Sequence, residues 1–194
     1  MQRVTGGGWN DAEFERLFRA HFAGIYRVLF RIVGSRQEAE DLAQEVFLRC
    51  YEVWDPSAHP VRPWLYRVAM NLAFNARRDR RRREVRNDKA GRIETAIGDP
   101  PAPDPSEAIA REEEREAVRR TLDTLPPRQA QILLLRHAGL SYREVAEALE
   151  VVPASVGTLL ARAEAAFEEA HRSGAGRASR AAADAQKKEG RHGV

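Results

Sequence analysis

The sequence contains a single cysteine, Cys50, and only 7% aromatic residues among its 194 positions. One cysteine cannot form a disulfide within the chain or a cysteine-rich metal cluster. No apolar run approaches the length of about 18 residues that a membrane-spanning helix needs, and the N-terminus lacks the features of a secretory signal. We therefore expect a cytoplasmic chain with no membrane insertion.

Signatures of enzymes are also missing. The five histidines are scattered without the spacing of metal ligands, and the sequence has neither a glycine-rich phosphate loop nor a nucleophile elbow. Cys50 lies on an apolar helical stripe, where a cysteine is typically an inert core residue. We predict a protein that is not an enzyme, with no catalytic residue, no cofactor and no bound metal.

The net positive charge is small, but basic residues are concentrated in one place. The formal net charge is only +3, although 31% of the residues are charged. Seven arginines and two acidic residues lie between Arg77 and Arg86, whereas the segment from Glu112 to Glu116 is mostly acidic. This pattern favours local contact with a polyanion over a uniformly basic surface.

Helical patterns fill most of the chain. Asn10 with Glu13, and Ser35 with Glu38, are capping-box pairs that start two helices. A loop from Asp55 to Pro63 precedes a third helix, which runs into the arginine cluster. The proline-rich stretch GDPPAPDPS, at residues 98–106, cannot supply a core and predicts an extended linker.

The segment after the linker contains the most informative pattern. Ser141 with Glu144 forms another capping box, and Pro153 suits the first turn of a following helix. A helix, a short turn and a second helix are typical of a helix-turn-helix, whose second helix enters a DNA major groove. An ordinary helical hairpin is the alternative.

These patterns predict an all-α protein with two small helical domains joined by a flexible linker, the second domain containing the helix-turn-helix. The predicted segments are a disordered N-terminus (1–9), a first domain (10–95), the linker (96–106), a second domain (107–171) and a disordered basic tail (172–194).

The third helix carries an unusual polar stripe beside its apolar one. Trp64, Arg67, Asn71, Asn75 and Arg78 are three or four residues apart, so they share one face. Amides and guanidinium groups can bind base edges, and an aromatic ring can stack on an exposed base. The arginines that follow can neutralise phosphates. This stripe favours nucleic-acid binding over a merely solvated face with a basic end.

The second helix has an acidic outer face instead. Asp41, Gln44, Glu45 and Leu48 lie at helical spacing on the side opposite the apolar stripe. A leucine within an acidic face suggests a docking surface for a protein, although a single exposed leucine is also common on any surface. The acidity makes contact with DNA unfavourable there.

Two blocks of the sequence resemble the extracytoplasmic-function type of bacterial sigma-70 factors. Residues 14–54 with 62–83, which include EDLAQEVFLR and WLYRVAMNLAFNARR, are similar to sigma region 2. Residues 124–167, which include LSYREVAEAL, are similar to region 4. The two blocks cover a little over half of the chain, in the family's order.

The resemblance implies roles for three sets of side chains. Binding to the clamp coiled coil of the largest polymerase subunit would involve Asp41, Gln44, Glu45, Phe47 and Leu48. Opening and holding the −10 promoter element would involve His59, Arg62, Trp64, Arg67, Asn71, Asn75, Arg77, Arg78, Arg80 and Arg81, with Trp64 helping to hold a flipped-out base. Binding to the −35 element would involve Arg143, Ser155, Thr158 and Arg162.

The implied function is that of a promoter-specificity subunit. Its partners would be core RNA polymerase, including the flap region for the second domain, together with promoter DNA and an anti-sigma factor. Two other functions remain open from the residues alone. One is a free-standing helix-turn-helix regulator that binds duplex DNA as a dimer, and the other is an RNA-binding protein supported only by the arginine cluster.

The sequence departs from the family's pattern at three places. Glu150 stands where a helix-turn-helix usually has glycine, and a left-handed backbone there would cost about 1 kcal/mol. Leu159 and Leu160 occupy positions where members often have a basic residue. Asn75 replaces a frequent aspartate.

Overall fold

The computed structural model describes residues 9–55, 57–87 and 105–189, with side chains described over 9–55, 57–83 and 112–174. These residues form seven α-helices and one short 3-10 turn, with no strand among them. None of these helices is both long enough and apolar enough to cross a bilayer. The elements are α1 (Asp11–Val33), α2 (Arg36–Val53), α3 (Val61–Asn87), α4 (Pro105–Thr124), α5 (Pro127–His137), α6 (Tyr142–Leu149), the 3-10 turn (Pro153–Ser155) and α7 (Val156–Glu189).

Helix α1 begins where the capping pattern predicts. The Asn10 side chain accepts a hydrogen bond from the Glu13 backbone N–H at 2.9 Å, and the Glu13 carboxylate accepts one from the Asn10 N–H at 3.4 Å. Helix α2 has only the forward half of its box, in which Ser35 accepts from the Glu38 N–H at 3.3 Å. The Glu38 carboxylate lies 3.6 Å from the Arg80 guanidinium of α3 instead.

Helices α1, α2 and α3 pack into the first domain. Its fully buried side chains include Ile25, Leu29, Phe47, Leu65 and Met70. Where α1 passes α3, the space at Gly24 is small, because a Cβ atom there would lie 2.8 Å from the Tyr66 hydroxyl oxygen and the Tyr66 side chain would have to shift.

Trp9 also belongs to this domain, although the sequence pattern placed it in the N-terminal segment. Its ring stacks on Trp54 with 4.6 Å between the ring centroids. Its indole N–H donates to the Cys50 carbonyl at 3.0 Å. The tryptophan thus closes the end of the domain where α2 terminates, and residues 1–8 lie outside the described residues.

Helices α4 to α7 form the second domain, with the helix-turn-helix in α6, the 3-10 turn and α7. Ser141 and Glu144 make a complete capping box at the start of α6. Glu150 ends α6 in the left-handed conformation, with φ 54° and ψ 49°. Arg128 of α5 donates to the Leu149 carbonyl, which ties α5 to the end of α6.

Two predicted boundaries differ from the structure. Helix α4 starts at Pro105, two residues before the predicted domain start, and residues 88–104, with most of the linker, lie outside the described residues. Helix α7 continues to Glu189, where we predicted a disordered tail from residue 172. The tail is rich in alanine, arginine and lysine, which favour helix, so its lack of an apolar stripe did not prevent helix formation.

The two domains pack against each other. Helix α3 of the first domain contacts α5 and α6 of the second, and α1 contacts α4. This contact buries part of the surface on which the predicted site residues lie.

Candidate functional site

The acidic face of α2 is open to solvent. Asp41 and Gln44 are exposed, and Leu48 is 51% exposed. Asp41 accepts a hydrogen bond from Gln37 at 3.1 Å, and Glu45 pairs with Arg49 one turn later at 2.7 Å. These contacts stay within α2, so the face presents carboxylates and one leucine to a partner.

Phe47 does not belong to this face. Its side chain is only 2% exposed and packs among Phe14, Phe18 and Phe22 of α1. The expected polymerase contact by Phe47 therefore does not fit this structure. The ring instead holds α2 against α1 and fixes the position of the exposed residues around it.

Part of the predicted DNA-binding stripe is accessible. Asn71, Asn75, Arg78 and Arg81 of α3 are exposed, and so is His59 in the preceding loop. The two amides are one helical turn apart, and Arg78 follows Asn75 three residues later. These side chains form a continuous polar strip that base edges and phosphates can reach.

Two members of the predicted −10 set lie elsewhere. Trp64 is only 9% exposed and belongs to the hydrophobic core, so its ring offers no open face to a flipped-out base in this structure. Arg80 donates to the Val33 carbonyl at 2.9 Å and lies 3.6 Å from Glu38. This arginine joins α3 to the end of α1 and to α2, a structural contact that the sequence pattern did not indicate.

Three further arginines of α3 are paired with acidic residues of the second domain. Arg62 lies 2.6 Å from the Glu144 carboxylate and also donates to the Gly139 carbonyl at 3.2 Å. The other two pairs are Arg67 with Glu150 at 2.5 Å, and Arg77 with Asp123 at 2.8 Å. We call these three ion pairs the interdomain seam.

Burial shapes the electrostatics of the seam. Desolvation lowers the pKa of Arg77 and raises the pKa of Asp123, and each partner offsets part of that effect for the other. Burial also tends to raise the pKa of Glu144, but hydrogen bonds from Ser141 and Arg62 outweigh it, and the pKa is lowered. Glu144 is therefore held as a carboxylate that both caps α6 and binds Arg62.

The outer surface of the helix-turn-helix carries a different set of predicted residues. Thr158 and Arg162 are exposed on α7. Arg143 is exposed on α6 and pairs with Glu147 at 3.1 Å. Ser155 is half-buried, and its hydroxyl donates to the Val152 carbonyl at 2.7 Å. Ser155 thus stabilises the 3-10 turn, and Thr158 and Arg162 are the freer groups for base contact.

The sequence analysis missed one exposed residue at the tip of this motif. Val152 precedes the 3-10 turn, and 69% of this large apolar residue is exposed to solvent. The N-terminal part of a recognition helix is the part that reaches base edges. An apolar residue directly before Pro153 was the signal that could have identified it.

The described residues offer little for metal chemistry. No group of three or more histidine, cysteine, aspartate or glutamate side chains in the described ranges is arranged to hold a metal ion.

Comparison with protein-family models matches both domains. Residues 17–83 match the model of sigma-70 region 2, and residues 115–167 match the model of sigma-70 region 4. The first match contains the α2 face and the α3 stripe, and the second contains the helix-turn-helix.

Curated relatives match this chain over most of its length. The chain is 32% identical over 165 residues to the ECF RNA polymerase sigma factor SigE of Mycolicibacterium smegmatis, covering 82% of this chain and 60% of that one. It is 32% identical over 180 residues to the RNA polymerase sigma-H factor of Pseudomonas aeruginosa, covering 88% and 91%. The chain thus spans about three fifths of SigE but nearly all of sigma-H.

Two solved structures share the fold. CnrH, in complex with the cytosolic domain of CnrY, has a TM-score of 0.58 at 20% identity, covering 84% of this chain and 90% of CnrH. The sigma factor RpoE of Bartonella quintana, in complex with the anti-sigma factor NepR, has a TM-score of 0.55 at 17% identity, covering 82% and 97%. With both domains, their order and their fold in agreement, the chain belongs to the sigma-70 family of RNA polymerase sigma factors, in its extracytoplasmic-function group.

Proposed function

We propose that this chain is a promoter-specificity subunit that binds core RNA polymerase, recognises −10 and −35 promoter elements and helps to open the DNA. The observation that carries this proposal is the division of exposed surface within one small domain. The acidic face of α2 suits a basic partner, whereas the amide and arginine strip of α3 suits a negatively charged one. The two surfaces therefore suit different partners.

The α2 face suits a basic protein surface. Asp41, Glu45 and Leu48 combine charge with an apolar contact, which is the composition of a docking surface rather than of a DNA-binding one. We assign the clamp coiled coil of the largest polymerase subunit to this face, as the family resemblance implies. The flap region is the corresponding partner for the second domain.

The strip on α3 suits DNA that is being opened. Asn71 and Asn75 can bind base edges, and Arg78 and Arg81 can bind phosphates. Unstacking a base costs a few kcal/mol, which capture of the exposed strand can offset without ATP. On the second domain, Arg143, Thr158 and Arg162 serve the −35 element.

Attachment to polymerase explains how two small domains achieve specificity. Each domain alone offers few base contacts, so each should bind DNA weakly. Fixing both on one enzyme raises their effective concentration at the promoter. An anti-sigma factor that covers these surfaces, and a cytoplasmic location, remain predictions for this chain.

Reconstitution with core polymerase tests the proposal. We expect the purified chain to co-purify with core enzyme and to support run-off transcription from a subset of a random promoter library. The selected promoters should share two conserved elements. A dimeric, sequence-specific footprint on duplex DNA without polymerase, together with no binding to core enzyme, would instead identify a free-standing regulator.

A further inference from the structure

Trp9 lies outside both stretches that match the sigma-70 models, yet it makes specific contacts with the first domain. The region 2 match begins at residue 17. The Trp9 indole N–H donates to the Cys50 carbonyl at 3.0 Å, and its ring stacks on Trp54 with 22° between the ring planes. The matched family pattern therefore assigns no role to Trp9.

Trp54 connects the end of α2 to the loop that precedes α3. Its backbone N–H donates at 3.3 Å to the Cys50 carbonyl, the same oxygen that Trp9 binds. Its indole N–H donates to the His59 carbonyl at 3.1 Å, and the residue is only 9% exposed. A buried indole that has found an acceptor fixes the ring and the acceptor together. The loop carbonyl is thus held at a set distance from the end of α2.

The loop contains a turn that is closed by its own hydrogen bonds. The Asp55 carboxylate accepts from the Ser57 backbone N–H at 2.8 Å and from the Ser57 hydroxyl at 2.7 Å. The backbone N–H groups of Ala58 and His59 donate to the Asp55 carbonyl at 3.2 and 3.3 Å. Ser57, Ala58 and His59 are all exposed. The turn keeps its shape through these bonds, and the Trp54 indole fixes it to the core of the domain.

This turn lies next to the proposed −10 surface. His59 is one of the residues expected at that element, and α3, with Asn71 and Asn75 exposed, begins at Val61 directly after the loop. A group that captures one exposed base must be placed accurately, because a displacement of about 1 Å can cost on the order of a hundredfold in a step that depends on orientation. The selectivity of the turn therefore depends on what holds it in place.

We propose that Trp9 is a positioning residue for promoter opening, which holds Trp54 and thereby sets the place of the 57–59 turn against the −10 element. We call the path from Trp9 through Trp54 to the His59 carbonyl the indole bridge. Trp9 needs no contact with DNA for this role. The inference rests on the proposed function, because the step that it controls is the opening of −10 DNA.

Substitutions in the full chain distinguish the indole bridge from a general effect on stability. Trp9→Ala removes both the stacked ring and its donor, whereas Trp9→Phe keeps a stacked ring. Trp54→Phe keeps the ring stack but removes the donor to the loop. The matched control is Phe18→Ala, which removes a ring that packs on Phe22 and Phe47 in the same domain. Circular dichroism checks that each variant is folded.

Hydrogen exchange of the free chain measures the indole bridge without polymerase. We expect the amides of Ala58 and His59 to exchange about tenfold faster in Trp9→Ala and Trp54→Phe than in the wild-type chain. Trp9→Phe and Phe18→Ala should leave the exchange of these two amides within about twofold of the wild-type rate. Loop exchange in Trp9→Ala equal to that of the wild-type chain would overturn the proposal.

Reconstituted polymerase tests the consequence at a promoter. On a library-selected promoter with saturating polymerase, Trp9→Ala and Trp54→Phe should form open complexes about tenfold more slowly. Their preference for the selected base over the other three, at the −10 position most sensitive to substitution, should fall by a similar factor. Trp9→Phe and Phe18→Ala should keep this base preference, and all four variants should bind core polymerase as the wild-type chain does.

Unchanged base preference in Trp9→Ala, or an equal loss of preference in Phe18→Ala, would contradict the positioning role. If Trp9→Ala fails to fold, Trp54→Phe serves instead, and unchanged loop exchange with unchanged base preference in that variant would count against the indole bridge. Absence of run-off transcription by the wild-type chain would contradict the proposed function, while the exchange rates still decide whether Trp9 positions the turn.

Discussion

Glu150 combines backbone strain with an interdomain contact. Its left-handed backbone, φ 54°, is a conformation that glycine adopts without cost. Its carboxylate pairs with Arg67 across the seam. A glycine at this position would relieve the strain but remove the ion pair, which explains how glutamate can be retained where a helix-turn-helix usually has glycine.

Two substitutions separate these effects. Glu150→Gln removes the carboxylate and keeps a side chain at the strained position, whereas Glu150→Gly removes both. We expect the glycine variant to be more stable than the glutamine variant by about 1 kcal/mol, measured as the free energy of unfolding in denaturant. Equal stability of the two variants would show that the left-handed conformation carries no strain.

Val152 is the residue at which an apolar contact with DNA is expected. Under the proposed function its exposed side chain can contact a thymine methyl group in the major groove. Val152→Ala should lower transcription from a library-selected promoter about fourfold, the effect of losing roughly one methylene contact. Polymerase binding should be unchanged.

Deoxyuridine in place of thymine in the −35 element provides the matching change in the DNA. It removes the thymine methyl groups that Val152 is expected to contact. It should therefore reduce transcription by the wild-type chain more than transcription by Val152→Ala. Val53→Ala, at another exposed valine on the first domain, serves as the control protein. Equal sensitivity of the wild-type chain and Val152→Ala to deoxyuridine would exclude a methyl contact by Val152.

At the scale of elements, α2 shows how one helix holds a core and a docking face. Ala43, Val46 and Phe47 are buried, while Asp41 and Leu48 on the other side are exposed. Because Phe47 fixes the helix on α1, the exposed face can be changed without disturbing the core. That separation makes the face a suitable target for mutagenesis.

Charge reversal of this face should weaken polymerase binding. Asp41→Lys/Glu45→Lys places positive charge where a basic partner surface is expected, and we expect at least about a tenfold loss of affinity, measured by pull-down with core polymerase. Glu113→Lys/Glu114→Lys on α4 makes the same charge change elsewhere and should bind normally. An unfolded circular dichroism spectrum for the α2 variant would mean that these residues are structural.

His21 of helix α1 should make the stability of the folded chain depend on pH. Burial, and then the nearby Arg62, lower the pKa of His21. The unfolded chain therefore binds a proton at this histidine more readily than the folded chain does. The stability that neutral His21 provides should be present above pH of about 6.5 and lost as the pH falls below that value.

The measurement is the free energy of unfolding across this pH range for the wild-type chain and His21→Gln. The wild-type chain should lose more stability on acidification than the variant does. A difference between the two proteins that stays constant with pH would exclude His21 as a source of the pH dependence.

At the scale of the whole molecule, separation of the domains differs from unfolding. Cys50 lies in the core of the first domain with 0% exposure, and burial raises the pKa of its thiol to about 12. The thiol is both inaccessible and protonated, so it should react with a thiol reagent only when the first domain unfolds.

Thiol labelling can therefore show whether breaking the interdomain ion pairs unfolds the first domain. We expect Cys50 in Asp123→Asn/Glu144→Gln/Glu150→Gln to react as slowly as in the wild-type chain, because the domains separate without losing their own cores. The rate of reaction with an aromatic disulfide reagent is the measurement. Much faster labelling of the variant would show that the second domain is needed to keep the first domain folded.

The sequence by itself determined the elements and the family. Capping residues, apolar spacing and turn residues act over a few positions along the chain, so Asn10, Ser35 and Ser141 marked their helix starts correctly. The motifs of the two regions were likewise readable in order. The helical tail was missed because the absence of an apolar stripe was given more weight than helix propensity.

Only the tertiary structure decided which of the candidate residues are accessible. Spacing along α3 placed Trp64, Arg67 and Asn71 on one stripe, but the first lies in the core, the second pairs with Glu150 and only the third is exposed. Arg62 and Glu144 are 82 residues apart in sequence, and Arg67 and Glu150 are 83 residues apart. Periodicity reports which side of a helix a residue occupies, whereas occlusion depends on what packs there from a distant part of the chain.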